Sequence, residues 1–376
     1  MTTVDDVPTR GSAAKDEEFY QASQWRLMWW RFKKHKIAWV AIVVLGLMYL
    51  MTALAPFVSP YGVGQRFEGY SDSPPSEIHV MHEGEFRGPF VYGRQRELSM
   101  ETFKHVYVED TSQIHEIRFL GKGTPYELFG IIKSDVHLFT TAVDAPPVFL
   151  FGADRLGRDI LTRIVFGARI SLTIGFVGVM LGFALGITLG AVSGYFGGIV
   201  DTVVQRVVEF ILALPTIPLW MALSAALPRD WSVPRTYFFI TIILSFVSWA
   251  TLAREVRGKL LSLREEDFVV SARLAGASKA RIMFVHLIPS FTSHLIVTIT
   301  LAIPAMILGE TALSFLGLGM QAPAVSWGVL LQDAQNVVAV AQYPWQMIPA
   351  LFVVLTVLLF NFLGDGIRDA ADPYAT

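Results

Sequence analysis

Few residues in this sequence have the type and spacing to carry chemistry. Lys122 stands among glycines in Gly121-Lys122-Gly123-Thr124. A phosphate-binding loop needs its first glycine five residues before the second, and Glu116 occupies that place, so the pattern fails. Neither an HExxH nor a GxSxG pattern occurs, which removes the signatures of metalloproteases and α/β-hydrolases. No catalytic residue and no cofactor is expected, and any ATP hydrolysis that drives this protein takes place on another chain. His79 and His82 lie three apart, the spacing of a metal pair, but no further ligand spacing joins them. The expectation is solvated histidines and no metal. The absence of cysteine excludes disulfides and thiolate chemistry.

Glu310 is different, because it sits near the end of a long apolar block. An acid within a membrane helix is a functional candidate by default. It reads either as a proton relay in a self-contained secondary transporter or as a hydrogen-bonding group near an outer mouth. His294, the titratable residue nearest in the same block, lies too far along the helix to pair with it.

The elements that position these residues follow from composition. The chain has 376 residues, 53% hydrophobic and 16% charged, with a mean hydropathy of +0.49. That is too few charges for an ordinary soluble domain. Lys+Arg 30 against Asp+Glu 32 leaves −2, which provides no general pull toward nucleic acid. The hydrophobicity is collected in charge-free blocks at 37–58, 170–200, 210–227, 236–253, 290–309 and 334–364. A helix needs roughly 20 apolar residues to cross the hydrocarbon. The blocks are continuous rather than alternating, so six helical spans follow and a barrel does not. Ala53-Leu54-Ala55 resembles a signal cleavage site, but Pro56 hinders cleavage and the first span is read as retained.

Basic residues set the orientation. Residues 1–36 contain Arg10, Lys15, Arg26, Arg31, Lys33, Lys34 and Lys36, with Trp25, Trp29 and Trp30 as an interfacial belt. The loop 254–289 contains Arg254, Arg257, Lys259, Arg264, Arg273, Lys279 and Arg281, whereas 317–345 contains no Lys or Arg. The expected organisation is a cytoplasmic N-terminal tail over 1–36 and a first transmembrane helix over 37–58. An extracytoplasmic insertion follows over 59–165, then a five-helix core over 166–364, then a cytoplasmic tail over 365–376. The insertion is expected to be a small α+β unit, with strand-like alternation at 103–108 and 116–120. Residues 1–20 are expected to be a tail without structure.

Two motifs lie within the core. Gly178, Gly182, Gly186, Gly190 and Gly194 repeat every four residues, a spacing that lets helix backbones approach closely in lipid. In the loop 254–289, Ser262-Leu263-Arg264-Glu265 reads as a capping box. Phe268, Ala272 and Ala275 then give a short helix one apolar face, and Gly276 ends it as a left-handed cap. Ser278 caps a second short helix, which Pro289 stops. Such a helix–turn–helix either lies on anionic lipid or sits in a groove of a partner protein.

Ser271-Ala272-Arg273-Leu274-Ala275-Gly276 with His286-Leu287-Ile288-Pro289 resembles the EAA loop of binding-protein-dependent ABC importer permeases. Val270 and Ser271 stand where the family's leading Glu and Ala are usual. Other stretches resemble the oligopeptide and dipeptide permease C subunits. They are Gly152–Asp159 with Gly167–Leu172, Gly194–Gly198 with Asp201, Glu310–Gly319, and Arg368-Asp369-Ala370-Ala371-Asp372-Pro373. The long stretch 61–147 is similar to a subset with an enlarged outer domain, some of which serve oligosaccharides. The resemblance implies the six-helix type I ABC importer permease fold in a bacterial inner membrane. It implies a heterodimer with a second permease subunit, two ATP-binding subunits and an extracytoplasmic substrate-binding protein, with lipid around the spans. Phe268, Ser271, Ala272, Arg273, Gly276, His286 and Pro289 would form the ATPase-coupling loop.

Overall fold

The protein is described here by a computed structural model covering residues 24–98, 100, 105–142 and 145–371. Arg10, Lys15, Asp372, Pro373, the expected tail over 1–20 and the start of the 103–108 segment lie outside the described residues. The first helix, α1 (Gln24–Lys34), already belongs to the stretch read as a tail. The first apolar block begins at α2 (Lys36–Ala53), capped by His35, whose Nδ1 accepts from the Ala38 N–H at 3.1 Å. A single turn, α3 (Ala55–Val58), carries Pro56 in its first turn, where its missing N–H costs nothing.

The insertion departs from the expected α+β unit. Its described residues form strands β1 (His79–His82), β2 (Glu85–Leu98), β3 (His105–Glu116), β4 (Arg118–Phe119), β5 (Lys122–Leu128), β6 (Ile132–Val136) and β7 (Phe139–Thr140). They make one antiparallel sheet in the order β1-β2-β3 and two two-stranded ribbons, β4-β7 and β5-β6. No helix lies among the described residues between Val58 and Ile160. The physical reason is patterning: the segment lacks an apolar stripe of helical period, while alternating β-branched and aromatic residues suit a half-buried sheet. The insertion is tied to the end of α3. His137, 2% exposed, has Nδ1 2.6 Å from the Ser59 carbonyl and Nε2 2.9 Å from the Thr124 carbonyl, and the Leu138 N–H donates to the Phe57 carbonyl.

The core begins earlier than expected, at α4 (Ile160–Phe196), whose Asp159 caps it through the Thr162 N–H at 2.8 Å. At 37 residues, α4 is about 55 Å long. After Gly197 come α5 (Gly198–Ala213) and α6 (Thr216–Ala225), bent by 87° at Leu214-Pro215. A proline disfavours helical backbone in the residue before it, and Leu214 is extended (ψ 134°). The chain continues through α7 (Val233–Leu263), α8 (Asp267–Leu274), α9 (Lys279–Arg281), a π-helical turn (Ile282–Leu287), α10 (Ile288–Ser290) and α11 (Thr292–Phe315). It ends with α12 (Trp327–Asp333), α13 (Val337–Gln342), a 3-10 turn (Pro344–Met347) and α14 (Ile348–Ala371). Helix α14 therefore runs seven residues past the expected boundary at 364.

Among the described residues, five helices are long and apolar enough to cross a membrane, and the bent α5–α6 pair makes a sixth if counted as one crossing. Contacts at its two ends show that the pair runs from one end of the bundle to the other. Asp201 meets Arg257 near the end of α7, while Ser224 and Leu227 share a cavity with Leu318–Ala324 beyond the end of α11.

The core is built on a seam between α4 and α7. A Cβ added to Gly186 would lie 2.9 Å from the Trp249 carbonyl oxygen, and one on Gly190 2.5 Å from that of Ala253. One on Gly194 would lie 2.9 Å from the Arg257 carbonyl oxygen. Gly182 faces Ser248, and Gly178 faces Ser245 and Met306. Positions in α4 and α7 rise together, so the two helices run parallel. The Ser245 hydroxyl donates to the Gly178 carbonyl at 2.8 Å. Around this seam, buried residues of α2, α4, α7, α11, α12 and α14 form one continuous apolar cluster.

Replacing Gly186 by Leu places a branched side chain against backbone and should cost about 1–3 kcal/mol or more. The expected result is a lower thermal midpoint of the purified chain in detergent. An unchanged midpoint would mean that the seam yields without loss.

Candidate functional site

The loop joining α7 to α11 is a compact pair of short helices. Ser262 does not cap the first of them. It lies in the last turn of α7 and donates to the Lys259 carbonyl at 2.9 Å, because α7 runs on to Leu263. The short helix α8 starts only at Asp267, with extended Glu266 before it. Asp267 in its first turn and Arg273 in its last complement the helix dipole.

Gly276 has φ +80°, the left-handed region open to glycine. The Ala277 N–H donates to the Ala272 carbonyl at 3.1 Å and the Gly276 N–H to the Arg273 carbonyl at 3.0 Å. This is the Schellman pattern, and it turns the chain sharply without leaving carbonyls unpaired.

The faces of α8 are not divided as the apolar spacing implied. Val269 is fully buried and Ala272 packs on the core, so these two dock the helix. Ala275 is exposed. Phe268, Val270 and Leu274 are exposed, Leu274 by 84%. Ser271 and Arg273 also face outward. The outward surface is thus apolar with a cationic edge.

In the second arm, the Ser278 hydroxyl accepts from the Arg281 N–H at 3.3 Å. Pro289 does not stop this arm. The chain stays helical through Ser290 and breaks at Phe291 (φ −123°), because the π turn places Pro289 in the first turn of α10, where no N–H is required. Ile282, Met283 and Leu287 are buried, His286 is half-buried and Pro289 is exposed. The Lys279 ammonium lies 5.3 Å from the centre of the Phe196 ring, linking the loop to the end of α4.

A clamp that spacing alone did not expose adjoins this loop. Asp201 of α5 takes a bidentate pair from Arg257 of α7, Nε at 2.5 Å and Nη2 at 2.6 Å. The Ser193 hydroxyl of α4 donates to the same carboxylate at 2.5 Å. A planar two-point contact of this kind fixes geometry as well as charge. The signal was present as one acid and one arginine beside charge-free blocks, but 56 positions separate them.

Glu310 is fully buried at the opposite end of the bundle. Its Oε1 accepts from the Ser314 hydroxyl at 2.8 Å and its Oε2 from the Ser171 hydroxyl of α4 at 3.1 Å. Ser171 Oγ in turn accepts from the Trp327 N–H at 3.1 Å, and Ser314 Oγ from the Met320 N–H at 2.9 Å. The acid therefore links α4, α11, the loop after α11 and the start of α12. Its hydrogen bonds among the described residues are to hydroxyls, with no histidine, lysine or second acid in reach. That arrangement is a hydrogen-bonding hub between these elements.

On the same side, the turn before α4 carries a second charge cluster. Asp154 accepts from Arg158 Nε at 2.7 Å and from Arg163 Nη1 at 2.6 Å, and both arginines reach Asp333 of α12 at 3.2–3.3 Å. Asp72 nearby accepts from Gln346 Nε2 at 2.6 Å. Burial pushes the Asp72 carboxyl above the usual carboxylate range, with the Gln346 bond acting against the shift. The sequence-singled residues therefore fall into separate regions: the loop at one end, the glycine seam along the middle and Glu310 at the other end.

The profile of the family described as binding-protein-dependent transport system inner membrane component matches residues 186–375. A second profile, the N-terminal transmembrane domain of oligopeptide transport permease C, matches residues 23–75. The two matches bracket 76–185, which includes all seven strands. Among curated proteins, the oligopeptide transport system permease protein OppC of Salmonella typhimurium is 40% identical over 246 residues, 65% of this chain and 79% of that one. The OppC of Bacillus subtilis is 34% identical over 233 residues, 61% and 74% of the two chains. The dipeptide transport system permease protein DppC of Alkalihalophilus pseudofirmus is 41% identical over 224 residues, 59% and 71%. Among solved structures, an inward-facing MetNI methionine ABC transporter aligns at a TM-score of 0.41 and 20% identity, covering 57% of this chain and 98% of that one.

Glu310→Ala removes the acceptor of two buried hydroxyls and should cost about 1–3 kcal/mol. Glu310→Gln keeps an acceptor and should cost less. Thermal unfolding of the two variants checks the order, and equal losses would overturn the hub assignment.

Proposed function

The chain belongs to the binding-protein-dependent transport system inner membrane component family, and from that membership we propose that it is one permease half of an ATP-driven importer for oligopeptides or dipeptides. The relatives named above carry peptides in their names, which favours peptide over the oligosaccharide alternative. A second permease subunit supplies the other half of the pathway, two ATP-binding subunits dock below, and a substrate-binding protein delivers cargo from outside. We place the loop after α7 and both termini in the cytoplasm, on the strength of the basic residues around them, and the β insertion outside, where it contacts the binding protein or roofs the pathway.

The observation that carries this reading is the form of α8. It is docked from beneath by Val269 and Ala272 and shows Phe268, Leu274 and Arg273 outward. Such a surface suits a groove with an acidic rim on an ATPase subunit. Because α8 follows α7 directly, and α7 is seamed to α4, a push on α8 moves the two longest helices together. Glu310 then acts as a fixed point at the far end, and nothing in its surroundings favours an ion-coupled cycle.

Two measurements test the proposal. Peptide uptake by cells should fail on ATP depletion while the ion gradient is held; surviving uptake would support a secondary transporter. A Cβ added at Gly276 meets no atom of the described residues within 4 Å, but Gly276→Val puts a β-branched residue at φ +80°, a strain of roughly 1–2 kcal/mol. The reconstituted complex should then lose the ATPase stimulation caused by loaded binding protein, with normal insertion of the chain. Full stimulation in this variant would rule out α8 as the coupling element.

A further inference from the structure

The insertion sheet brings together an imidazole and two carboxylates that the transport reading does not use. Glu77 precedes β1, His79 begins it, and the two lie two residues apart in extended chain, which places them on one face. Glu109 comes from β3, opposite Arg94 of β2. His79 Nε2 lies 3.1 Å from Glu109 Oε2, and one ligand atom from each of the three residues falls within 4.8 Å of the others. Among the described residues it is the one such group of three. His82, three residues on, is turned elsewhere: its Nδ1 lies 3.0 Å from the Tyr92 hydroxyl.

We propose that Glu77, His79 and Glu109 bind a divalent transition-metal ion of the zinc class. Three protein ligands of mixed nitrogen and oxygen type, with a fourth position open to solvent, suit zinc better than calcium or magnesium, which favour all-oxygen shells. Tetrahedral zinc with bonds near 2.0–2.1 Å sets its ligands about 3.3 Å apart. The His79–Glu109 pair already has that spacing, and the exposed Glu77 side chain has room to swing in.

The charge also fits. Arg94 is the competing cation, but its Nη1 and Nη2 donate to the Pro74 and Pro75 carbonyls at 2.9 and 2.8 Å. That holds it 3.9 Å from Glu109 Oε1, a buried oxygen with no hydrogen-bond partner among the described residues. Two carboxylates against one guanidinium leave one negative charge for the metal to meet. The Tyr92 ring, 4.7 Å from the His79 ring centre to centre, packs beside the imidazole. A bound ion would staple the segment before β1 to β3 across β2.

The test uses the full chain in detergent, stripped with a chelator and titrated with zinc chloride by calorimetry, then with cobalt(II) followed by its visible absorption. One ion per chain is expected, with affinity reduced at least about tenfold in Glu77→Gln and binding abolished in His79→Ala. Glu77 is exposed, so its variant reports on binding even where His79→Ala fails to fold. Zinc uptake equal in the wild type and Glu77→Gln, or no uptake by the wild type, overturns the proposal. So does a cobalt spectrum without tetrahedral bands.

Discussion

Helices in a bilayer gain nothing by leaving lipid for one another, so they associate only where their surfaces fit. The α4–α7 seam meets this constraint with an absence of side chains. Of five glycines at four-residue spacing, Gly186, Gly190 and Gly194 rest on carbonyls of α7, and Gly178 and Gly182 make room for its serines. The remaining spans pack around that pair. Helix α11 covers its open side through Ile303, Met306 and Ile307, and α14 and α2 complete the layer. Because the contact is between backbones, it leaves few alternative arrangements, and the two helices form one rigid body.

The charged clusters lie at the ends of this body, and the polar groups between them include hydroxyls such as Ser245. At one end the Asp201–Arg257 pair joins α5 to α7 and the Schellman turn shapes the loop beyond. At the other end Glu310 and the Asp154–Arg163–Asp333 cluster hold α12 and the preceding turn against α4. The Asp201, Asp154 and Glu310 carboxylates each accept hydrogen bonds from named partners, which a low-dielectric setting favours. The division suits a transporter, in which the middle must slide past substrate and the ends must receive partners.

Much of this was legible in the sequence, for physical reasons. Spans must be long and apolar, so charge-free blocks located them, and Gly276 announced its left-handed turn because few other residues tolerate it. What escaped was set by tertiary contact. The bend at Leu214-Pro215 lies inside an apolar block, where hydropathy does not see it. The strands of the insertion are short and two-sided, so their alternation is weak, and a helix was expected that the chain has no stripe to bury. The partners of Glu310 come from positions 171 and 314, and those of Asp201 from 193 and 257. Only the fold brings such residues together. The residue that docks α8 on the core, Val269, lies outside the apolar spacing of Phe268, Ala272 and Ala275 and is chosen by tertiary contact.

The joint between α4 and α5 has a further consequence. Gly197 and Gly198 both have positive φ, +65° and +55°, and a Cβ on Gly198 would meet nothing within 4 Å. By themselves two such residues form a free swivel. The Asp201–Arg257 pair sits one turn away and acts as its latch. Its side chains are 18% and 29% exposed, so dissolved ions reach it. That pair, together with the buried packing of Val208 and Ile211 against Val247, Ala250 and Ala253, sets the angle at which the bent α5–α6 segment leaves α4.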